Sequence, residues 1–251
     1  MSGHSKWSQI KRQKGVNDAQ RGQAFTRLGR EIIVAVRSTN SGDPNANFRL
    51  RKAIEAARAA NMPMENIDRS IKRALGGGEG AQLEEITYEG YAPGGAAVLV
   101  HAMTDNRNRT AAEVRNCFNK NGGNLGENGC VDWIFEQRGV IEVALTGQDP
   151  DELSLEVLDA GAEDVDPVHP DDESLIVYTM ASEMETVRQA LEAKKLQVTR
   201  AEVALIPKTT VELDEKTSTQ ALRMIEKLED LDDVQEVHTN AEFNEAALEQ
   251  A

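Results

Sequence analysis

Asp105, Asn106, Arg107, Asn108, Arg109 and Thr110 form the polar run in which this sequence concentrates most chemistry. They fall where an apolar strand pattern gives way to a helical one. The free N–H groups of a helix N-terminus would therefore stand beside two guanidinium groups, a combination suited to a phosphate or a carboxylate. Thr110 followed by Glu113 has capping-box spacing, which predicts a helix starting at about Ala111. A second reading stands beside the first: Asp105 and the Asn side chains satisfy turn backbone, and the arginines pair with acidic neighbours.

Other clusters carry less. The stretch from Asn121 to Gly129 looks like a phosphate cradle, but it follows a helix rather than a strand and lacks the Gly-Lys-Ser/Thr ending, so a cap and turn are expected. Asp164, Asp166, Asp171, Asp172 and Glu173 do not fit the calcium-loop spacing and read as a solvated acidic loop. His4, His101, His169 and His238 are scattered, and Cys117 and Cys130 form neither a C-x-x-C nor a disulfide framework. Without a nucleophile motif or cofactor fingerprint the expectation is a protein that is not an enzyme, with no cofactor and no metal. A metal- or metabolite-dependent enzyme using the 105–110 cleft is the remote alternative, because acid and base groups can assemble from distant positions.

Charge is the stronger signal. The 251 residues carry a formal charge of −15, yet residues 1–75 hold 15 Lys+Arg against 6 Asp+Glu, a net of +9, while residues 76–251 hold 13 against 37, a net of −24. An acidic body with a basic module points to a polyanionic partner, most often nucleic acid. The candidate binding residues are Lys6, Trp7, Lys11, Arg12, Lys14 and Arg21 in an N-terminal arm expected to have little rigid structure before a partner binds. Arg27, Arg30, Arg69, Lys72 and Arg73 join them from the helices that follow. The polar N-terminus lacks a secretory signal, and nowhere do 18 apolar residues run together, so a cytoplasmic protein without membrane insertion is expected.

The elements that would position these residues follow from period. Phe25, Leu28, Ile32, Ala35 and Val36 recur at helical spacing, with Arg27, Arg30 and Arg37 on the opposite side. Residues 49–60 predict a second helix, and residues 63–75 a third that buries Ile67, Ile71 and Leu75, with Pro63 opening it and Gly76 ending it. The last two also fit a helix-turn-helix pattern, as do many helix pairs that never touch DNA. After a glycine-rich linker the period changes to 2: strands begin at Ile86, Ala96 and Val131, and residues 139–205 then follow a βαββαβ order, the ferredoxin-like split unit. A strand near 208–213, a helix at 217–229 and a strand at 233–239 should return to complete the sheet begun at residue 84. The expected fold class is α+β in three domains. These are a basic helical domain with its arm (1–78), an α+β domain (83–137 plus 206–245), and a ferredoxin-like domain (138–205) inserted in the second.

Several blocks resemble a known family. Gly3 to Trp7, Ala24 to Leu28, Tyr88 to Tyr91 with Pro93 to Gly95, Asp105 to Thr110, Gly122 to Gly126 and Leu228 to Val237, in this order and spanning the chain, are similar to the YebC/PmpR family. The resemblance implies a three-domain cytoplasmic protein that is a probable DNA-binding transcriptional regulator. It implies equally an alternative, a ribosome-associated translation factor that relieves stalling at sequences such as proline runs. The partner is then DNA or ribosomal RNA, with ribosomal proteins facing the acidic domains. No heptad or apolar seam specifies a dimer, and acidic bodies of −24 repel, so a monomer is expected.

Overall fold

The computed structural model describes residues 18–76, 83–168 and 172–250, with side chains described from residue 22 to residue 248. The chain divides into two compact units, one holding residues 12–130 and 219–238 and the other residues 131–218 and the segment from 239 onward. These cuts differ from the boundaries that period and charge draw at 78, 137 and 205. The helical region and the first sheet belong to one unit, and residues 206–218 go with the second.

The first unit starts with three helices, α1 (Asp18–Thr39), α2 (Phe48–Ala59) and α3 (Met64–Leu75). Their shared core is the apolar side of each pattern: Ile32, Ala35 and Val36 meet Leu50, Ala57 and Ile67, all essentially inaccessible to water. Asn47 caps α2 by accepting from the Leu50 N–H at 3.0 Å, while its buried amide donates to the Ala35 carbonyl at 2.7 Å, so one side chain sets both the helix start and its angle to α1. Leu75 departs from expectation. It is 48% exposed, because the last turn of α3 reaches past the bundle and leans on Gly42 instead of the core.

The sheet of this unit has the order β3-β1-β2-β9, with β1 (Glu84–Tyr91), β2 (Ala97–Thr104), β3 (Asn124–Leu125) and β9 (Val234–Thr239). β1 and β2 pair antiparallel from Glu84 with Thr104 to Tyr91 with Ala97. β2 is buried at every residue but His101, which suits its near-continuous apolar run. Helix α4 (Arg107–Lys120) contributes Val114, Cys117 and Phe118 to the core, and α7 (Glu215–Glu229) contributes Leu222, Met224, Ile225 and Leu228. Gly90 is required here by space: a Cβ would stand 2.5 Å from the Asn124 carbonyl and 2.7 Å from the Phe118 ring.

The second unit contains β4 (Phe135–Ala144), α5 (Pro150–Asp159), β5 (Asp164–Val165), β6 (Ser174–Met180), α6 (Met184–Ala193) and β7 (Val198–Pro207). These four strands form an antiparallel sheet in the order β5-β6-β4-β7, which is the ferredoxin-like arrangement of a βαββαβ chain. Ile141, Val143, Leu153, Val157, Leu175, Val177, Val187 and Leu191 fill its core. Two local expectations are corrected. No separate strand forms at residue 131: Asp132–Ile134 is a single 3-10 turn, and β4 runs unbroken from Phe135 through Gly139. The strand near 208–213 does not join the first sheet. Only Val211–Glu212 (β8) is extended, and it pairs in parallel with Ala241–Glu242 (β10), since the chain leaving β9 brings the Asn240 and Glu242 carbonyls to the N–H groups of Val211 and Leu213.

Candidate functional site

The run from Asp105 to Thr110 is built differently from the capping-box reading. Helix α4 starts at Arg107, and its cap is Asn106, whose side chain accepts from the Arg109 N–H at 3.1 Å. Thr110 lies inside the helix with no exposed surface, its hydroxyl 2.6 Å from the Asp233 carboxylate. The reason is a competing acceptor: a buried carboxylate is a better partner for a buried hydroxyl than a helix-end amide that Asn106 already satisfies. Asn108 is exposed.

Asp233, just before β9, organises the region. It is 1% exposed and takes Arg109 at 2.7 Å, Thr110 at 2.6 Å, Thr104 at 3.0 Å and Arg30 at 2.9 Å. Burial alone would push its carboxyl up, but the hydrogen bonds from Arg109, Thr110 and Thr104 and the charge of Arg30 outweigh this and hold it below the usual carboxylate range. Arg109 also pairs with Asp105 at 3.0 Å. Arg107, by contrast, points outward and comes only within 3.5 Å of Glu84. Of the two readings of this run, the arginine at 109 therefore follows the internal one, and Arg107 stays open to a partner.

Arg27 and Arg30 also have internal partners. Arg27 donates to the Glu229 carbonyl, Arg30 to the Asp232 carbonyl, and Gln23 to the Asp230 carbonyl at 3.3 Å. These are the carbonyls that the end of α7 and the turn after it leave without helical partners, and cationic side chains are favoured there. The side of α1 away from its own bundle, where both arginines were expected to face outward, meets a turn some 202 residues later in the chain, and Arg30 also lines the groove described next. Arg49 adds a further tie, 3.0 Å from Glu31 and 2.6 Å from Glu85.

Arg69 and Arg73 lie together at one groove. With Arg30 and with Arg37, which the spacing puts on the same helix side, they line a groove of about 400 Å³ between α1 and α3. Phe25, Ile33 and Met62 line the same groove. Gly29 lets the two helices approach, since a Cβ there would stand 3.3 Å from the Ser70 hydroxyl. Arg69 reaches Glu65 at 2.9 Å, an exposed i,i+4 pair that costs little to break. Lys72 is not part of this groove and faces a separate hollow beside Gly42 and Pro44. Lys6, Trp7, Lys11, Arg12 and Lys14 lie outside the described residues, as does the side chain of Arg21.

Sequence reasoning missed Phe48. It is 63% exposed, with the Arg51 guanidinium 5.2 Å and the Lys52 ammonium 5.8 Å from its ring centre. An aromatic residue on the outward side of a helix beside two cations was the available signal. Asp233 was missed because it sits in an acidic run with Glu229, Asp230 and Asp232, where nothing in the spacing sets it apart.

The remaining reactive groups are poorly placed for nucleophilic work. Burial pushes the Cys117 and Cys130 thiols up, further from the reactive thiolate. Among the described residues no group of three or more His, Cys, Asp or Glu could hold a metal ion, and no helix is long and apolar enough to cross a membrane.

Fold and site together define a class: an α+β protein with a helical, arginine-rich N-terminal region carrying an arginine-lined groove, followed by β-sheets. Residues 5–77 match the TACO1/YebC N-terminal domain, and residues 83–241 match the TACO1/YebC second and third domain. The chain belongs to the TACO1/YebC family. A protein of Chloroflexus aurantiacus is 57% identical over 97% of this chain and 96% of its own length, and one of Roseiflexus castenholzii is 56% identical over 100% and 98%. Both are named probable transcriptional regulatory proteins. A crystal structure of a conserved hypothetical protein from Aquifex aeolicus aligns with a TM-score of 0.76 and 48% identity, covering 91% of this chain and 93% of that one.

Proposed function

We propose that this protein is a non-enzymatic, nucleic-acid-binding regulator of gene expression that acts in the cytoplasm as a monomer. The observation that carries the reading is the charge division: +9 over residues 1–75 against −24 over the rest, with four arginines of the basic region, Arg30, Arg37, Arg69 and Arg73, lining one groove. Its relatives' printed names favour transcription as the process controlled. A second reading, translation control on the ribosome, is favoured by the same division. One basic region would grip ribosomal RNA while the acidic remainder faces basic ribosomal proteins, whereas a two-fold repressor needs a dimer with two such regions.

Two measurements at one physiological salt concentration test this. The first is sedimentation with ribosomes and the second a footprint on promoter DNA, each with the intact protein and with a Lys11→Glu, Arg12→Glu, Lys14→Glu variant. Substitution is preferable to removing the first 78 residues, because Arg27 and Arg30 are part of the packing around Asp233. Binding to one target that the triple variant weakens, with a slope of log K against log salt near −4 to −5 for about five phosphate contacts on duplex DNA, supports the proposal. A sequence-specific footprint by a stable dimer leaves the transcriptional reading alone standing. Binding to neither target rejects both.

A further inference from the structure

The groove between α1 and α3 combines two chemistries where a simple phosphate contact needs one. Its rim is cationic: Arg69 and Arg73 are exposed there, with the half-buried Arg30 and Arg37 beside them. Its deep members are apolar: Ile33 and Met62 are each 7% exposed, and Phe25 packs on the same core. Asp105 is the one carboxylate among the lining residues, and Arg109 neutralises it at 3.0 Å. The volume of about 400 Å³ lies within the roughly 300–1,000 Å³ typical of sites for small organic groups.

A duplex offers its phosphates on convex ridges and keeps its bases stacked inside, so it can touch the arginines but cannot fill the apolar floor. An unpaired nucleotide can do both, because a base out of the stack presents its faces to apolar and aromatic side chains. We infer that this groove receives one unpaired nucleotide of a single-stranded nucleic acid, with the base against Phe25, Ile33 and Met62 and its phosphate among Arg37, Arg69 and Arg73. The inference rests on the nucleic-acid reading above and narrows it to single-stranded targets, such as loops and bulges of RNA or opened DNA.

The test uses the full chain, with short RNA and DNA strands of one sequence and the matching duplexes, at about 0.15 M salt, where surface charges are screened over about 8 Å. Asn66→Trp fills the groove without altering charge, since Asn66 lines it from α3. Arg73→Glu reverses one rim charge. Base stacking on a protein surface is worth several-fold to over a hundredfold per base, so each variant should weaken single-strand binding about tenfold, while Asn66→Trp leaves duplex binding within about twofold. The RNA and DNA arms identify the physiological source by which strand loses more. Independently of any variant, a strand carrying 5-iodouracil should crosslink on irradiation to Phe25 or its neighbours in the groove. If Asn66→Trp leaves single-strand affinity unchanged while Arg73→Glu weakens every form alike, or if the crosslink maps elsewhere, the groove inference is overturned and the nucleic-acid reading survives. If the unaltered protein binds no form at all, both fall.

Discussion

Replacing Asp233 by Asn should destabilise the unit around the first sheet by about 3 kcal/mol, the largest effect expected from any single polar substitution near the site. The side chain keeps its shape and loses its charge. A hydrogen bond to a charged group contributes about 1.5–3 kcal/mol, and Asp233 accepts three, all on one carboxylate oxygen, while Arg30 pairs ionically with the other. They do not add in full. Arg109 is 44% exposed and can recover water, so its share is small. Arg30 is only 19% exposed, and the hydroxyls of Thr104 and Thr110 are wholly buried, so their losses are felt. The sum falls at the low end of the roughly 3–5 kcal/mol that follows breaking a buried charge pair on one side. Urea unfolding followed by circular dichroism at about pH 7 gives the global value, and a lower midpoint with unchanged slope is expected. Amide exchange at Met103, whose N–H donates to the Asp233 carbonyl at 2.8 Å, reports the local one. The pH dependence is fixed in sign. The folded carboxyl lies below its ordinary value, so its contribution is present above the unfolded pKa of about 3.9 and is lost as pH falls through the folded one. The gap between the native protein and Asp233→Asn should therefore hold steady at neutral pH and close on acidification below about pH 4. A gap under about 0.5 kcal/mol at neutral pH, or one that widens in acid, would refute the account of Asp233 as the ionic centre of this packing.

Arg107→Ala and Arg109→Ala should separate: the first costs under about 0.5 kcal/mol because its contact is long and exposed, the second about 1–2 kcal/mol because it leaves a buried carboxylate with one donor fewer. Thermal melts that show equal losses for the two would count against the internal role of Arg109. Gly90→Ala should cost about 2–3 kcal/mol by driving Phe118 and the β3 backbone apart, and a melt displaced by less than the equivalent of about 0.5 kcal/mol would mean that this contact relaxes freely.

Local pattern was enough wherever the partner of a residue lies close in sequence. The three helices, the alternation that marks β4, and the βαββαβ order were all legible, because each depends on period and on nearby breakers such as Asn61 with its φ of 59°. The capping-box reading of Thr110 failed although its spacing was right. Spacing identifies a hydroxyl able to cap but says nothing of a carboxylate 123 residues away that holds it better.

The same limit explains the arginines, and it sorts them. Period places Arg27, Arg30 and Arg37 on one side of α1 and labels that side outward, since it knows only the bundle to which α1 belongs. The turn after α7 then covers the first two, and their cations satisfy carbonyls and one carboxylate that no helix pattern could announce. What remains outward is decided by α3, which shares its groove with α1: Arg69 and Arg73 reach that groove, and Lys72, one position before Arg73, turns about 100° away from it to a different hollow. A count of basic residues thus overstates the binding surface. Two of the eleven candidate positions have internal partners, six lie outside the described residues or have side chains that do, and Lys72 faces elsewhere. Arg69 and Arg73 share the groove with Arg30, one of the two that are tied internally, and with Arg37, which the count left out. Net charge would steer a polyanion of the proposed kind to this end of the chain, and the geometry between two helices, where Gly29 leaves room beside Ser70, would decide which cations meet it together.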